Sequence, residues 1–426
     1  MPSERGVIEN FKAFGHLDLP LNPHMNLIVG NNEVGKSTLL EAIHAVVTGQ
    51  LHGRGIAYEI TPYLFHQPAV DEYLARLRDG QPGSPPRIVI EAYLGRDATL
   101  ASLRGTNNSL GADMAGIRLL IELNEDYRTE FDAYLREHQG GSLPVEYYTV
   151  RWYSFANNGV TARSIPFDST IIDTTSAKTF SGTDRYIGSI IDQVLSPAQR
   201  VALSLSYRRM RQSFSQETDV AAINTFLAEN AGDVSNKTLT VGVDTSARST
   251  WEASLSPYLD DLPFTHAGKG EQSAVKMKLA MRAAGAAHVL LVEEPENHLS
   301  FSSMTQLIDK IAALSTAQQV IIATHSSFVL NKLGVDNVIL FSARGHIKLD
   351  QLPTDTHDYF MKLPGHDTLR LILAKQAILV EGPSDELIVQ RAFKDHHGVS
   401  PLARGVDVIS VNSLAFKRFL QIAQRL

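Results

Sequence analysis

The chain has 426 residues, enough for two or three domains with buried cores. Hydrophobic residues make up 43% and charged residues 20%, and the formal net charge of −7 excludes a uniformly basic nucleic-acid coat while leaving room for a local basic groove. There is no Cys, which excludes disulfides, thiolate metal sites and cysteine nucleophiles; without an apolar core of signal-peptide length or an apolar run of the ~18 residues a membrane helix needs, a cytoplasmic protein with no membrane association is expected.

In chain order, GVIENFKAFGHLDLPL (6–21) predicts a hairpin of two short strands. The apolar strand NLIVG (26–30) runs into GNNEVGKST (30–38), and KSTLLEAIHAVVTG (36–49) then places Leu39, Leu40, Ile43, Val46 and Val47 on one side of a helix. A glycine loop between a buried strand and a helix is the context of a phosphate-binding P-loop. Gly30 and Gly35 let the backbone curl, so that Asn31, Asn32, Glu33, Val34 and Thr38 present successive N–H groups to an anion. Lys36 is placed to reach the β- and γ-phosphates of ATP, and the Ser37 hydroxyl to ligate Mg²⁺.

DGQPGSPP (79–86) breaks the pattern, and RIVIEAYLG (87–95) predicts a strand resuming the sheet. Further strands are expected in IRLLIEL and VEYYTVRWYSF, within 116–176. Residues 182–232 read as helices, a helical insertion between two halves of one ATPase domain. Within it SYRRMRQSF (206–214) clusters arginines, read as a solvated helix face sooner than as a DNA-facing patch.

HAGKGEQSAVKMKLAMR (266–282) is a glycine-flexible turn carrying Gly270, Gln272 and Ser273 into a helix start that could hold a γ-phosphate. VLLVEEPENHLS (289–300) delivers two carboxylates to a strand end. Neighbouring strand residues face opposite ways, so Glu293 is assigned to the Mg²⁺ side and Glu294 to orienting or deprotonating the attacking water. QQVIIATHSS (318–327) ends a strand at His325, which could sense the γ-phosphate, and a helix at 301–314 lies between these strands. NVILFSARGHIKL (337–349) continues the sheet, and AILVEGPSDELIVQRAF (377–393) opens a third unit as strand, tight turn and helix.

In this order the motifs resemble the ABC-type ATPase head of the SMC/RecF class: Walker A, signature, Walker B and switch histidine. That resemblance implies that the signature of one subunit completes the ATP site of another, and it makes Gln67 in YLFHQPAV the candidate glutamine of the loop between Walker A and signature. Glu293 stands where the class carries an aspartate, and GKGEQS where it carries LSGGQ. Both departures resemble the OLD (overcoming lysogenization defect) family of ATP-dependent endonucleases, class 2 or Gabija-type. AILVEGPSDELIVQRAF resembles the start of a Toprim domain, in which Glu381 binds a divalent metal (Mg²⁺ or Mn²⁺) or acts as general base and Asp385 is a further metal ligand. Such a site uses two metals to clamp a phosphodiester.

The fold class expected is α/β: an ABC/SMC-RecF-like head in two parts (1–170 and 245–365) around a helical dimerisation insertion (171–244), then a partial Toprim domain (375–426). After Glu386 the only acidic residues are Asp395 and Asp407, neither in the DxD pair a Toprim domain needs, so a domain about half represented by truncation is expected. The resemblance implies cleavage of double-stranded DNA in anti-phage defence by a homodimer or higher homo-oligomer, beside a helicase-like partner. The alternative is a RecF/SMC-like DNA-binding clamp without nuclease activity. A transporter ATPase subunit fits neither the insertion nor the Toprim start.

Overall fold

The computed structural model describes residues 3–31, 33–81, 83–137, 142–162, 164–173, 195–229, 241, 258–272, 274–275, 287–297, 299–334, 337–342, 345–348, 355, 370–371, 374–411 and 415–424. The chain divides into two units, Met1–Thr175 with Ala284–Leu426, and Ser176–Ala283.

In the first unit, β1 (Ser3–Phe11) and β2 (Phe14–Pro20) pair in the expected hairpin, Phe11 opposite Phe14, with Lys12 turning the chain at φ 47°. β3 (Met25–Gly30) is buried at every residue, as befits a strand covered on both faces. It feeds the P-loop, and α1 (Lys36–Thr48) follows with Leu39, Leu40, Ala42, Ile43, Ala45, Val46 and Val47 buried.

The strand β4 (Ile88–Leu94) does not join β3. It pairs antiparallel with β1 and with β5 (Met114–Leu123), and β5 also pairs with β6 (Tyr148–Ser154), so the expectation of one resumed sheet gives way to two sheets. The second sheet runs β7 (Ser169–Asp173), β8 (Val289–Glu293), β9 (Gln319–Thr324), β3, β10 (Val338–Ser342), β11 (Gly345–Lys348). All neighbours are parallel except the last pair, in which β11 runs antiparallel to β10 with Ser342 opposite Gly345. α1 packs against strands of both sheets, and one core runs from Ile90, Ile117 and Leu119 through Leu39, Leu40 and Ile43 to Leu291, Ile321 and Ile339. Between the sheets' strands the chain forms α2 (Gln67–Arg78), α3 (Arg128–Glu137), α6 (Phe301–Leu314) and α7 (Ser327–Leu333).

The C-terminal segment of this unit has the predicted strand–turn–helix. β12 (Gln376–Val380) is parallel to β13 (Val406–Ser410), joined by α8 (Pro383–His397), and α9 (Phe416–Ala423) follows. The second unit holds α4 (Pro197–Ser215) and α5 (Thr218–Glu229). α4 is started by a capping box in which Ser196 and Gln199 exchange side-chain and backbone hydrogen bonds. No helix among the described residues is long and apolar enough to cross a membrane.

Candidate functional site

Because β8, β9 and β3 are adjacent and parallel, their carboxyl ends meet at one edge of the sheet, where open α/β sheets place their sites. The P-loop leaves β3 there. A Cβ on Gly30 would sit 2.5 Å from the Phe341 carbonyl oxygen and 2.8 Å from Val34 Cγ2, so no side chain fits. Gly35 adopts φ 98°, and a Cβ there would lie 2.6 Å from Phe14 Cζ, so the β1–β2 hairpin presses directly on the loop. No side chain caps the first turn of α1, which leaves its N–H groups for an anion. Glu33 is also left-handed at φ 70°.

Lys36 is 7% exposed, and its Nζ donates to the carbonyls of Gly30 at 2.8 Å and Asn31 at 2.9 Å. Burial lowers its pKa, opposed by the negative charges of Glu294, Glu296 and Glu293 nearby. The Ser37 hydroxyl donates to Glu293 Oε1. Glu294, the next residue, lies just past β8 with a left-handed backbone at φ 42°. Its Oε1 lies 3.0 Å from His325 Nδ1, and its Oε2 accepts from Asn297 Nδ2 at 2.9 Å. Thus Lys36, Ser37, Glu293, Glu294 and His325 form one cluster, with Thr38 buried behind it in α1. A loop that excludes side chains, a held ammonium and a hydroxyl–carboxylate pair fit a nucleotide triphosphate and a hard divalent cation bound through oxygen.

Gln67 opens α2, and its amide donates to the carbonyls of Pro62 and Phe65, both at 2.9 Å, within its own turn. In the second unit, Gly270 and Gln272 fall in a helical turn beginning at Lys269. The Gln272 amide there donates to Ala267 O at 2.8 Å. Asn32 and Ser273 lie outside the described residues.

In the C-terminal segment Glu381 stands exposed one residue beyond β12. Asp385 accepts the Gly382 N–H at 3.2 Å, so the predicted ligand also caps α8. Arg370 donates to Asp407 Oδ1 at 2.6 Å and Oδ2 at 3.1 Å, to Glu386 Oε1 at 3.2 Å and to the Val408 carbonyl at 2.7 Å. Its carboxylate partners raise its already high pKa. Asp407 is thereby committed to a structural clamp. Among the described residues, no group of three or more His, Asp or Glu side chains is arranged to hold a metal.

Sequence reasoning passed over Glu296. This carboxylate accepts from Thr324 Oγ1 at 2.8 Å and from the His325 N–H at 3.1 Å. The available signal was a third carboxylate just past Pro295, which ends the strand and lets the next side chain fold back.

Residues 7–81 match an AAA domain model, 198–331 the AAA domain model described as putative AbiEii toxin of a Type IV toxin–antitoxin system, and 372–426 the TOPRIM domain of overcoming lysogenization defect protein-like proteins. The DNA replication and repair protein RecF of Actinobacillus pleuropneumoniae serotype 5b (strain L20) is 43% identical over 82 residues, 19% of this chain and 22% of that protein. The matched stretch therefore spans about a fifth of that relative's length. Among solved structures, the SMC head bound to the C-winged helix domain of ScpA gives a TM-score of 0.42 at 15% identity, covering 82% of this chain and 99% of that one. The SMC head domain from Thermotoga maritima gives 0.37 at 14% identity, over 82% and 99%. The matches thus run in chain order from AAA-type nucleotide-binding segments to a C-terminal segment that is similar to the TOPRIM domain of overcoming lysogenization defect protein-like proteins.

Proposed function

We propose that the chain is the ATP-binding and ATP-hydrolysing head of a DNA endonuclease, in which ATP regulates metal-dependent cleavage by the Toprim segment. The observation that carries this reading is the meeting of the P-loop with Glu293, Glu294 and His325 at one sheet edge. Lys36 binds the β- and γ-phosphates and Ser37 and Glu293 hold Mg²⁺, which when bound offsets phosphate charge. Glu294 accepts the proton of the attacking water, oriented by Asn297 on one oxygen and His325 on the other. Gly270, Gln272 and Ser273 serve the nucleotide of a second copy, which makes a homodimer the working unit, and Gln67 responds to the bound nucleotide. Glu381 and Asp385 supply metal-binding carboxylates for cutting double-stranded DNA. A role in anti-phage defence, in the cytoplasm and beside a helicase-like partner, follows from the family resemblance.

The second reading is a DNA-binding clamp without nuclease activity. It is favoured by the RecF match and by the engagement of Asp407 with Arg370 rather than with an open carboxylate cluster.

Titration with a fluorescent ATP analogue, paired with a phosphate-release assay, tests the head. Lys36→Ala is expected to lose nucleotide binding. Glu294→Gln is expected to bind within about threefold of wild type and lose turnover by about 10²-fold or more. Full turnover in Glu294→Gln would move the base elsewhere.

A further inference from the structure

The Glu294–His325 pair sits in an unfavourable place for a pair that must hold its geometry. Glu294 has φ 42°, in the left-handed region, which is strained for a residue with a side chain and persists only where the surroundings fix it. The ladder between β8 and β9 has also run out: its last link is the Glu294 N–H to the Ala323 carbonyl at 2.8 Å. His325 is one residue past β9, and its imidazole is about half exposed. Ring packing therefore does not set its direction.

Glu296 bridges the two strand ends. The chain reverses over 294–297, closed by the Asn297 N–H to the Glu294 carbonyl at 3.0 Å, and this turn sends the Glu296 side chain across to β9. There Oε1 accepts the Thr324 hydroxyl at 2.8 Å and the His325 N–H at 3.1 Å. The Thr324 hydroxyl oxygen in turn accepts the Ser326 N–H at 3.0 Å. One carboxyl oxygen thus fixes the backbone on both sides of His325, and through it the imidazole against Glu294. Thr324 is fully buried and the Glu296 side chain is 12% exposed, so these bonds are shielded from competing water.

We propose that Glu296 is a positioning residue for ATP hydrolysis, holding the end of β9 so that His325 and Glu294 keep their productive pairing. The proposal rests on the hydrolytic reading of this site given above. The rest of the carboxyl is consistent with it. Oε2 is buried and takes no hydrogen bond from any described residue, and burial raises the pKa of Glu296. The bridge uses Oε1 as the acceptor of two hydrogen bonds. Gln offers the same acceptor, whereas Ala offers none.

The test uses the full chain and compares wild type with Glu296→Ala, Glu296→Gln and Thr324→Val, with His325→Gln as the control for assignment. Thr324→Val removes the hydroxyl donor while keeping the side-chain shape. Steady-state ATP turnover is measured beside fluorescent-nucleotide binding and ¹⁵N-histidine NMR, with the His325 signal assigned by its loss in His325→Gln. Glu296→Ala is expected to lower kcat by about 10- to 100-fold, the effect of misplacing a reacting group by about 1 Å, with KM and nucleotide affinity within about threefold. Its His325 ring signal should move. Glu296→Gln should recover kcat to within about threefold of wild type, and Thr324→Val should fall in between. Wild-type kcat with an unmoved His325 signal in both Glu296→Ala and Thr324→Val overturns the proposal. So does a folded Glu296→Gln no more active than Glu296→Ala. A wild-type protein that binds nucleotide without turning it over, but whose His325 signal moves in Glu296→Ala, overturns the hydrolytic reading and leaves the positioning role standing.

Discussion

Single residues behind the nucleotide cluster carry pH dependence of their own. His44 lies in α1, partly buried, its Nδ1 2.9 Å from Ser169 Oγ at the start of β7. Burial pulls its pKa from 6.5 down to about 4. Between these values the unfolded chain binds a proton that the folded chain refuses. The stability held by neutral His44 is therefore complete above pH 6.5 and is lost as pH falls towards 4. Relative to His44→Gln, wild type should lose about 2 kcal/mol over that window, allowing for the partial exposure of His44. Denaturant midpoints of the two proteins at pH 7.5 and pH 4.5 check this, and parallel curves would remove His44 as the cause. The meeting of Lys36 and Ser37 with Glu293, Glu294 and His325 was legible in the sequence because each belongs to a short motif at a strand end or helix start. Glu296, Asn297 and Thr324 were not, because their roles arise from a turn that brings two strand ends together. The Arg370 clamp was hidden for the same reason: its partner Asp407 is 37 positions away.

At the scale of elements, periodicity located the strands but not their sheets. β4 is buried at all seven residues, which reads the same for a central parallel strand and for an antiparallel strand covered on both faces. The second case holds: Ile88, Ile90 and Ala92 face the main core, while Tyr93 joins Val7 and Phe155 on the other side. Even Glu91 is buried in β4, accepting from Ser109 N at 2.9 Å and Tyr93 Oη at 2.7 Å, with Arg118 at 3.4 Å. The antiparallel sheet also secures the far end of the P-loop helix. Trp152 of β6 donates its indole N–H to the Val46 carbonyl at 2.9 Å, in the last turn of α1. Helix ends leave such carbonyls without an intrahelical partner. Trp152→Phe keeps an aromatic ring but loses this donor, and should lower stability by about 1–2 kcal/mol. Unfolding followed by far-ultraviolet circular dichroism measures the change; an unshifted midpoint would mean that water replaces the indole at Val46.

At the scale of the whole molecule, the proposed function gives the chain two chemistries that would need different residues. ATP turnover, as proposed, would draw on Lys36 and Ser37 in the first turn of α1 and on Glu293, Glu294 and His325 at the ends of β8 and β9. Phosphodiester cleavage would draw on Glu381 and Asp385, beyond β12 and in the first turn of α8. The clamp from Arg370 to Asp407 and Glu386 braces that second region by tying the start of the segment to both β13 and α8. Two reactions built on separate residues should be separable by mutation. Supercoiled plasmid with Mg²⁺ or Mn²⁺, with and without ATP, is the substrate for both assays. Glu381→Ala is expected to abolish nicking and leave ATP turnover within about twofold of wild type, since no member of the nucleotide cluster is touched. Glu294→Gln is expected to keep nicking competence while removing its response to ATP turnover. Equal nicking by wild type and Glu381→Ala would take cleavage away from this segment and favour the clamp. Loss of ATP turnover in a folded Glu381→Ala would mean instead that the two chemistries share one cooperative machine, with the metal-binding segment coupled to the nucleotide site.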